Sequence, residues 1–239
     1  MLSKTRFDEN ARIKDMLHQY AESKRRSITG SGHSLAMLAA GSVHCSAENV
    51  EHQLFGLAGI AQTLNQLESI DENQQGLREA FEALHQDLLK AERASLLIAD
   101  EADLNQAAEE VISSMPASPK TPWLKWESET LIAPPMQQIW VVDTQVNFCA
   151  KAYPTVGMTH PDAAVLSVLA LILRNGYCHG AIREQGGAYG GGAVHSAGHH
   201  SLRFYSYRDP RLLETLDDFD RAVDWLLQQS WPESLLEEA

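Results

Sequence analysis

The sequence predicts an α+β fold, in which a mostly helical first part precedes a second part with an antiparallel-rich sheet packed against helices. Two observations lead to this prediction. In the first part, apolar residues recur at the three- and four-residue spacing of an amphipathic helix, and strand signals are almost absent. In the second part, segments rich in β-branched and aromatic residues lie on both sides of an apolar helix, which is typical of α+β domains.

Four helical segments are expected in the first part. The spacing of apolar residues predicts helices over 7–20, 47–68 and 77–92. A further short helix is predicted over 35–40 from its leucine, alanine and methionine content. The Thr-Gly-Ser-Gly segment at 29–32 is predicted to separate this short helix from the first one, because glycine weakens a helix interior.

A proline-rich segment divides the chain. Three prolines lie between 116 and 122, among serines and threonines, and proline fixes φ and removes a backbone donor. We therefore predict a linker at 113–135, between a helical domain at 1–112 and an α+β domain at 136–239. The short apolar run Leu96–Ile98 is compatible with a strand or with a helix.

The second domain alternates between strand and helix signals. The β-branched segment 139–152 predicts one or two strands, and Pro161 is expected to open an apolar helix that ends at Leu173. A hairpin turn is predicted at Ser196–Gly198, followed by a strand over 201–207. An amphipathic acidic helix is predicted over 212–227.

Composition excludes several classes of protein. The chain has 239 residues, of which 44% are hydrophobic, so a sizeable core can be buried. Three cysteines without a CxxC pair exclude a disulfide scaffold, and a net charge of -13 argues against nucleic-acid and membrane partners. Neither an 18-residue apolar run nor a secretory signal is visible, so we expect a cytoplasmic location, or an organellar matrix if the source is eukaryotic.

A glycine cluster, with seven glycines between 180 and 198, is the most unusual feature of the second domain. A P-loop is excluded because no lysine follows Lys151, and a dinucleotide fingerprint is excluded because the helix precedes the glycines. Two interpretations remain open. An extended peptide could add to a glycine-containing strand edge flanked by Arg183 and Tyr189, or the segment is a plain turn with Tyr189 packed and Arg183 solvated.

The histidines do not predict a metal site. His195, His199 and His200 lie close together, but no local carboxylate or cysteine completes a ligand set. Neither the H-E-x-x-H pattern of zinc peptidases nor its inversion, H-x-x-E-H, occurs in the chain. We therefore predict no metal-binding residue here.

Several segments together resemble the C-terminal half of the pitrilysin/insulinase family of zinc metallopeptidases, and most closely its presequence-protease-like branch. The resemblance covers roughly residues 6–228, and its most specific part is the run Arg183-Glu-Gln-Gly-Gly-Ala-Tyr-Gly-Gly. The other segments that carry it are Arg12–His18, Ser27–Met37, Val146–Ala152, Phe204–Pro210 and Thr215–Phe219.

The resemblance implies a mechanism. Such enzymes enclose a peptide in a closed chamber between two halves, and the N-terminal half holds zinc through the inverted motif. By resemblance, Arg183 would anchor the substrate backbone together with Gly186 and Gly187, and Tyr189 would stabilise the tetrahedral oxyanion. The expected partners are a peptide substrate and the zinc-bearing N-terminal half, which lies outside this chain together with its zinc.

Because the zinc motif is missing, we expect this chain to be an excised, substrate-clamping piece of a metalloendopeptidase and to be inactive alone. Its first part would be the helical remainder of the third peptidase-like domain, and its second part a truncated fourth domain. Two alternatives remain. The complete protein could be a non-catalytic binding or regulatory subunit of the same family, or the chain could be an unrelated α+β binding module.

Overall fold

The structure is a computed structural model that describes residues 5–90, residue 110 and residues 137–229. The predicted linker at 113–135 and the short apolar run Leu96–Ile98 lie outside the described residues. The boundary between the two predicted domains therefore stays a prediction.

The described residues fall into two compact units. The first combines the beginning of the chain with the helix α4 (Gln74–Lys90), whose Phe81 ring stacks on the ring of Phe7 at a centroid distance of 5.9 Å. The second unit combines Leu17–Leu67 with the described residues from 137 onward and contains the sheet.

Helices α1 (Asn10–Gly41), α2 (Ser46–Phe55) and α3 (Leu57–Glu68) confirm the helical periodicity of the first part. The break predicted at 29–32 is confirmed, because α1 consists of two helical stretches that meet at a kink at Ser31, where φ is -134° and ψ is 28°. The single helix predicted over 47–68 is instead interrupted at Gly56, whose φ of -81° and ψ of -165° are extended.

Three antiparallel strands form the sheet of the second unit. Strand β1 (Ala150–Pro154) and strand β2 (Gly190–Ser196) both pair with the central strand β3 (Ser201–Tyr207), so the strand order is β1-β3-β2. The predicted hairpin between β2 and β3 is confirmed. The sheet packed against helices confirms the α+β prediction.

The strand prediction over 139–152 is wrong for most of its length. Ile139 and Val141 are 87% and 94% exposed, and the segment contributes only an isolated bridge between Asn147 and Asp209 before β1 begins at Ala150. β-Branched residues favour a strand only where a neighbouring strand and a buried face are available, and Ile139 and Val141 have no such face.

As an α-helix, α5 (Ala163–Leu173) ends at the predicted Leu173, and it begins two residues after Pro161, which was expected to open it. The helix continues without a break into a π-helical segment, Arg174–Gln185. Cys178 and Ile182 in this segment are fully buried against the sheet. This burial stabilises a helix over residues such as Asn and Gly, which have poor helix propensity.

The core of the second unit lies between one face of the sheet and the helices α5 and α6 (Leu213–Gln228). Phe204 on β3 and Phe219 on α6 are fully buried and stack at a ring distance of 5.6 Å. Helix α6 confirms the amphipathic helix predicted over 212–227. Alternate residues of β3, including Leu202 and Ser206, point into this core.

The opposite face of the sheet is covered by residues from α1 and α2. Tyr205 and Tyr207 both contact the ring of His33, and Arg203 approaches Glu48. The second unit thus has two layers of helical contacts, one on each face of β3, and the C-terminal end of β3 lies next to the glycine cluster.

One helix of the described residues, Ala163–Gln185, is long and apolar enough to cross a membrane by length and composition. This length is that of α5 and the π-helical segment together. The sequence itself contains no 18-residue apolar run. Leu173, Cys178 and Ile182 of this helix are part of the core against the sheet, and 28% of its most apolar stretch is buried.

Candidate functional site

Arg183 and Tyr189, the two residues singled out in the sequence, lie at the two ends of the turn between the π-helical segment and β2. Two backbone hydrogen bonds close the helix end: the N–H of Gly187 donates to Arg183 O at 3.1 Å, and the N–H of Ala188 donates to Ile182 O at 3.1 Å. Gly187 has a φ of +79°, which is a left-handed conformation that glycine adopts at little cost. The glycine therefore reverses the chain between the two side chains.

Gly186 makes room for the side chain of Arg211. A β-carbon at position 186 would overlap the Arg211 guanidinium, so only glycine fits without displacement. The Nη2 atom of Arg211 donates to Ala181 O at 3.3 Å, one turn earlier in the helix. Gly186 and Gly187 thus have structural roles in the turn, and their binding of substrate stays a prediction.

Arg211 also joins the turn to helix α6. Its Nη2 atom lies 2.9 Å from Asp218 Oδ2, and its backbone N–H donates to Oδ1 of the fully buried Asp209 at 2.9 Å. The other carboxylate oxygen of Asp209 accepts a hydrogen bond from Thr215 Oγ1 at 2.7 Å. Buried charges that are paired in this way hold their surroundings in one geometry, so the backbone of the turn is fixed from behind.

The side chain of Arg183 is exposed at the end of the helix. Its Nη1 atom lies 3.5 Å from His179 Nε2, and His179 Nδ1 lies 3.5 Å from Glu184 Oε1. These contacts are long, and the three side chains are all exposed. The guanidinium can therefore turn toward a ligand without breaking a buried interaction.

Tyr189 is 71% exposed, and its ring contacts the ring of Tyr207 edge-on, with a centroid distance of 5.6 Å and an interplanar angle of 82°. The Tyr189 N–H points to Arg208 O at 3.4 Å, which extends the pairing of β2 with β3 by one residue. The expectation that a plain turn would leave Tyr189 packed is not what the structure shows, because most of its side chain faces solvent.

The glycines of β2 serve helix packing. A β-carbon at Gly191 would lie 2.5 Å from Ile182 Cγ2, and one at Gly192 would lie 2.9 Å from Arg174 Cγ. A β-carbon at Gly190, in contrast, would meet nothing within 4 Å. Close approach of the helix explains two of the three glycines, and β2 is an edge strand of the described sheet.

The clustered histidines bind neighbouring side chains. His195 Nδ1 lies 3.1 Å from Ser167 Oγ, and His199 lies 3.0 Å from Ser196 Oγ and 3.4 Å from Glu51 Oε1. Within the described residues, no group of three histidine, cysteine or acidic side chains could hold a metal ion. The residues of the described chain therefore do not fit a zinc ion.

The contact between Glu48 on α2 and Arg203 on β3 was not predicted from the sequence. Glu48 is fully buried, and its Oε1 lies 2.8 Å from Arg203 Nη2. Burial raises the pKa of Glu48 to about 7, and Glu51 acts in the same direction, whereas the Arg203 charge lowers it. Strand alternation places Arg203 on the face opposite Phe204, but no local pattern identifies Glu48 as its partner.

Two family models match the chain. The model described as "Peptidase M16C associated" matches residues 1–67, and the model described as "PreP C-terminal domain" matches residues 137–237. The second match contains the whole turn and the sheet. The first contains α1, α2 and nearly all of α3.

Several known proteins are similar to this chain, and each is named "Presequence protease, mitochondrial". The protein of Yarrowia lipolytica is 31% identical over 246 aligned residues, which cover 100% of this chain and 24% of the relative. That of Drosophila melanogaster is 32% identical over 230 residues, 95% of this chain and 22% of the relative. That of Kluyveromyces lactis is 50% identical over 96 residues, 40% of this chain and 10% of the relative. The chain spans at most about a quarter of the length of these relatives.

Proposed function

Since this chain belongs to the presequence protease-like M16 peptidases and corresponds to their C-terminal region, we propose that it forms the substrate-clamping portion of a zinc-dependent metalloendopeptidase. The enzyme would degrade peptides in a closed chamber, which this chain completes together with an N-terminal half that carries the zinc. Similarity to presequence proteases supports a peptidase.

The observation that carries the proposal is the contrast between a fixed backbone and two exposed side chains. Arg211 and its buried partners Asp209 and Asp218 support the turn from behind. Arg183 and Tyr189 project from the ends of this turn, and both are exposed. A rigid support that presents a few polar groups is what binding and catalytic sites require.

The two side chains suit different tasks in peptide hydrolysis. The guanidinium of Arg183 offers several donors in a fixed plane, which can anchor the carbonyl oxygens of a substrate backbone. The hydroxyl of Tyr189 can donate to the carbonyl oxygen that gains negative charge as the tetrahedral intermediate forms. We assign substrate anchoring to Arg183, with Gly186 and Gly187 exposing backbone nearby, and oxyanion stabilisation to Tyr189.

We place the zinc of this proposal in the N-terminal half, in agreement with the described residues of this chain, among which no group of three histidine, cysteine or acidic side chains could hold a metal ion. The names of the relatives support an organellar, mitochondrial location if the source is eukaryotic. The cytoplasmic location that we expected first has no support from them and stays a prediction, as does the absence of nucleic-acid and membrane partners.

The test uses the peptidase assembled from this chain and the zinc-bearing N-terminal half, with a fluorogenic peptide as substrate. We expect Tyr189→Phe to lower kcat by roughly ten- to a thousandfold with little change in KM, as for the loss of an oxyanion donor. Arg183→Gln should mainly raise KM, by about tenfold or more, because a charge-assisted hydrogen bond to bound substrate is lost.

The matched control is Tyr205→Phe, which removes the same hydroxyl from a tyrosine on β3, away from the turn. It should leave both constants unchanged. An unchanged kcat in Tyr189→Phe would refute the oxyanion role. If the assembled protein binds peptides and cleaves none, the non-catalytic subunit is the correct assignment instead.

A further inference from the structure

The ring of the exposed Tyr189 packs against the ring of Tyr207. Tyr207 is the last residue of β3, and its ring meets the edge of Tyr189 at 5.6 Å and 82°. This edge-to-face arrangement is the favoured geometry for two aromatic rings. Tyr189, in contrast, is 71% exposed, so its orientation depends on a small number of contacts.

The position opposite Tyr207 in the sheet is a glycine. The register pairs Gly190 with Tyr207, and cross-strand partners place their side chains on the same face. A β-carbon at Gly190 would meet nothing within 4 Å apart from its chain neighbours, and without a side chain residue 190 does not compete with Tyr189 for the ring of its cross-strand partner Tyr207. This accounts for the one glycine of β2 that helix packing leaves unexplained.

Tyr207 itself is held from several sides. Its ring lies 4.7 Å from the ring of His33 on α1 and 5.8 Å from that of Phe148. The Arg208 guanidinium lies 5.4 Å from its centroid, and the Tyr207 hydroxyl points to Gly30 O at 3.4 Å. The ring therefore belongs to the fixed part of the molecule, whereas Tyr189 belongs to its surface.

We propose that Tyr207 is a positioning residue for Tyr189, and that it holds the Tyr189 ring in the orientation in which the hydroxyl serves the reaction. The inference rests on the proposed oxyanion role. An exposed tyrosine without such a contact would sample several rotamers, and only a fraction of molecules would present the hydroxyl correctly. The free energy of one aromatic pair corresponds to a change of about two- to tenfold in the population of the correct rotamer.

The first part of the test measures activity of the assembled peptidase. Tyr207→Leu should lower kcat about two- to tenfold with KM unchanged, while Tyr207→Phe, which keeps the ring, should retain kcat. The matched control is Tyr205→Leu, because Tyr205 lies on the same face of β3 and contacts His33 rather than Tyr189. In the Tyr189→Phe background, Tyr207→Leu should cause no further loss of kcat. An equal loss in both backgrounds would overturn the proposal.

A second variant leaves Tyr207 in place, so the proposal stays testable if Tyr207→Leu does not fold. Gly190→Val should lower kcat in the same way, because its side chain competes for the Tyr207 ring. Gly198→Val is its control, since Gly198 also has open space around a β-carbon and lies in the hairpin turn, at the other end of β2. Unchanged kcat in Gly190→Val would contradict the proposal.

The second readout does not depend on the reaction. Fluorotyrosine placed at position 189 of the assembled protein reports ring mobility by ¹⁹F NMR, and its line should change on Tyr207→Leu and on Gly190→Val but not on the two controls. If Tyr189→Phe keeps full kcat while the ¹⁹F line still responds, the oxyanion role fails and the positioning contact stands. If the ¹⁹F line is unchanged in Tyr207→Leu and in Gly190→Val, the positioning role is refuted, whether or not Tyr189 stabilises the oxyanion.

Discussion

Replacing Glu48 by glutamine should remove a distinct part of the pH dependence of stability. Glu48 is fully buried beside Arg203, whose side chain is 12% exposed, and the two lie 2.8 Å apart. Within the described residues neither carboxylate oxygen of Glu48 accepts a hydrogen bond of good geometry. Burial therefore outweighs the attraction of Arg203 and raises the pKa of Glu48 to about 7.

The direction of the pH effect follows from the raised pKa. Between the ordinary pKa of 4.5 and about 7, the folded chain keeps the Glu48 proton and the unfolded chain releases it. The contribution of Glu48 to the free energy of unfolding is thus fully present below pH 4.5 and is lost as the pH rises to about 7. At roughly 1.4 kcal/mol per unit of pKa, the loss amounts to about 3 kcal/mol.

Glutamine is the right replacement because it has the shape of protonated glutamate and keeps a carbonyl oxygen near Arg203. At acid pH the variant and the original chain should have similar free energies of unfolding. Above neutrality, Glu48→Gln should be more stable by about 3 kcal/mol. The control is Glu214→Gln on α6, where the side chain is exposed.

The assay is urea denaturation of the 239-residue chain between pH 4.5 and pH 8, followed by circular dichroism, for both variants and the original chain. The decisive quantity is the difference in unfolding free energy between Glu48→Gln and the original chain, which should grow with pH. A difference that stays constant across this range would refute the argument that burial dominates at Glu48.

Two further predictions concern the support of the turn and the missing metal. Thr215→Val removes the hydroxyl that donates to the buried Asp209 and should lower the unfolding free energy, measured in urea, by about 1–3 kcal/mol. Its control is Thr29→Val, which loses an exposed hydrogen bond to Arg26 O. Equal unfolding free energies of Thr215→Val and the original chain would contradict the role of Asp209. The isolated chain should cleave no fluorogenic peptide when zinc is added, because its described residues offer no metal-binding group; turnover that depends on zinc would disprove this.

Helix periodicity and strand alternation predicted those elements whose signals are local. Helix α6 has its apolar residues on one face, and the hairpin of β2 and β3 has alternating residues around a Ser-Ala-Gly turn, so both were expected within a few residues of their observed bounds. The break predicted at 29–32 is confirmed by the kink at Ser31. The break at Gly56 was not predicted, because the helical spacing of apolar residues continues across it.

The rest required contacts between distant residues. The helix after Leu173 persists because Cys178 and Ile182 are buried against a sheet that forms later in the chain. The β-branched segment that begins at Ile139 lacks a partner strand in the described structure, so its propensity has no effect. Gly186 makes room for the side chain of Arg211, which lies 25 positions later in the sequence. No periodic sequence pattern extends over such a separation.

Arg183 and Tyr189 were singled out in the sequence as flanks of the glycine cluster, and the resemblance implied their roles. Their surroundings follow from the structure. The backbone of Tyr189, at the end of an otherwise fixed turn, is constrained by Gly187 and Arg208, and among the described residues the ring of Tyr189 contacts one other ring, that of Tyr207. Preorganisation of the hydroxyl would then depend on one ring contact, and this is why Tyr207 and Gly190, rather than residues that fix the backbone, are the informative positions to change.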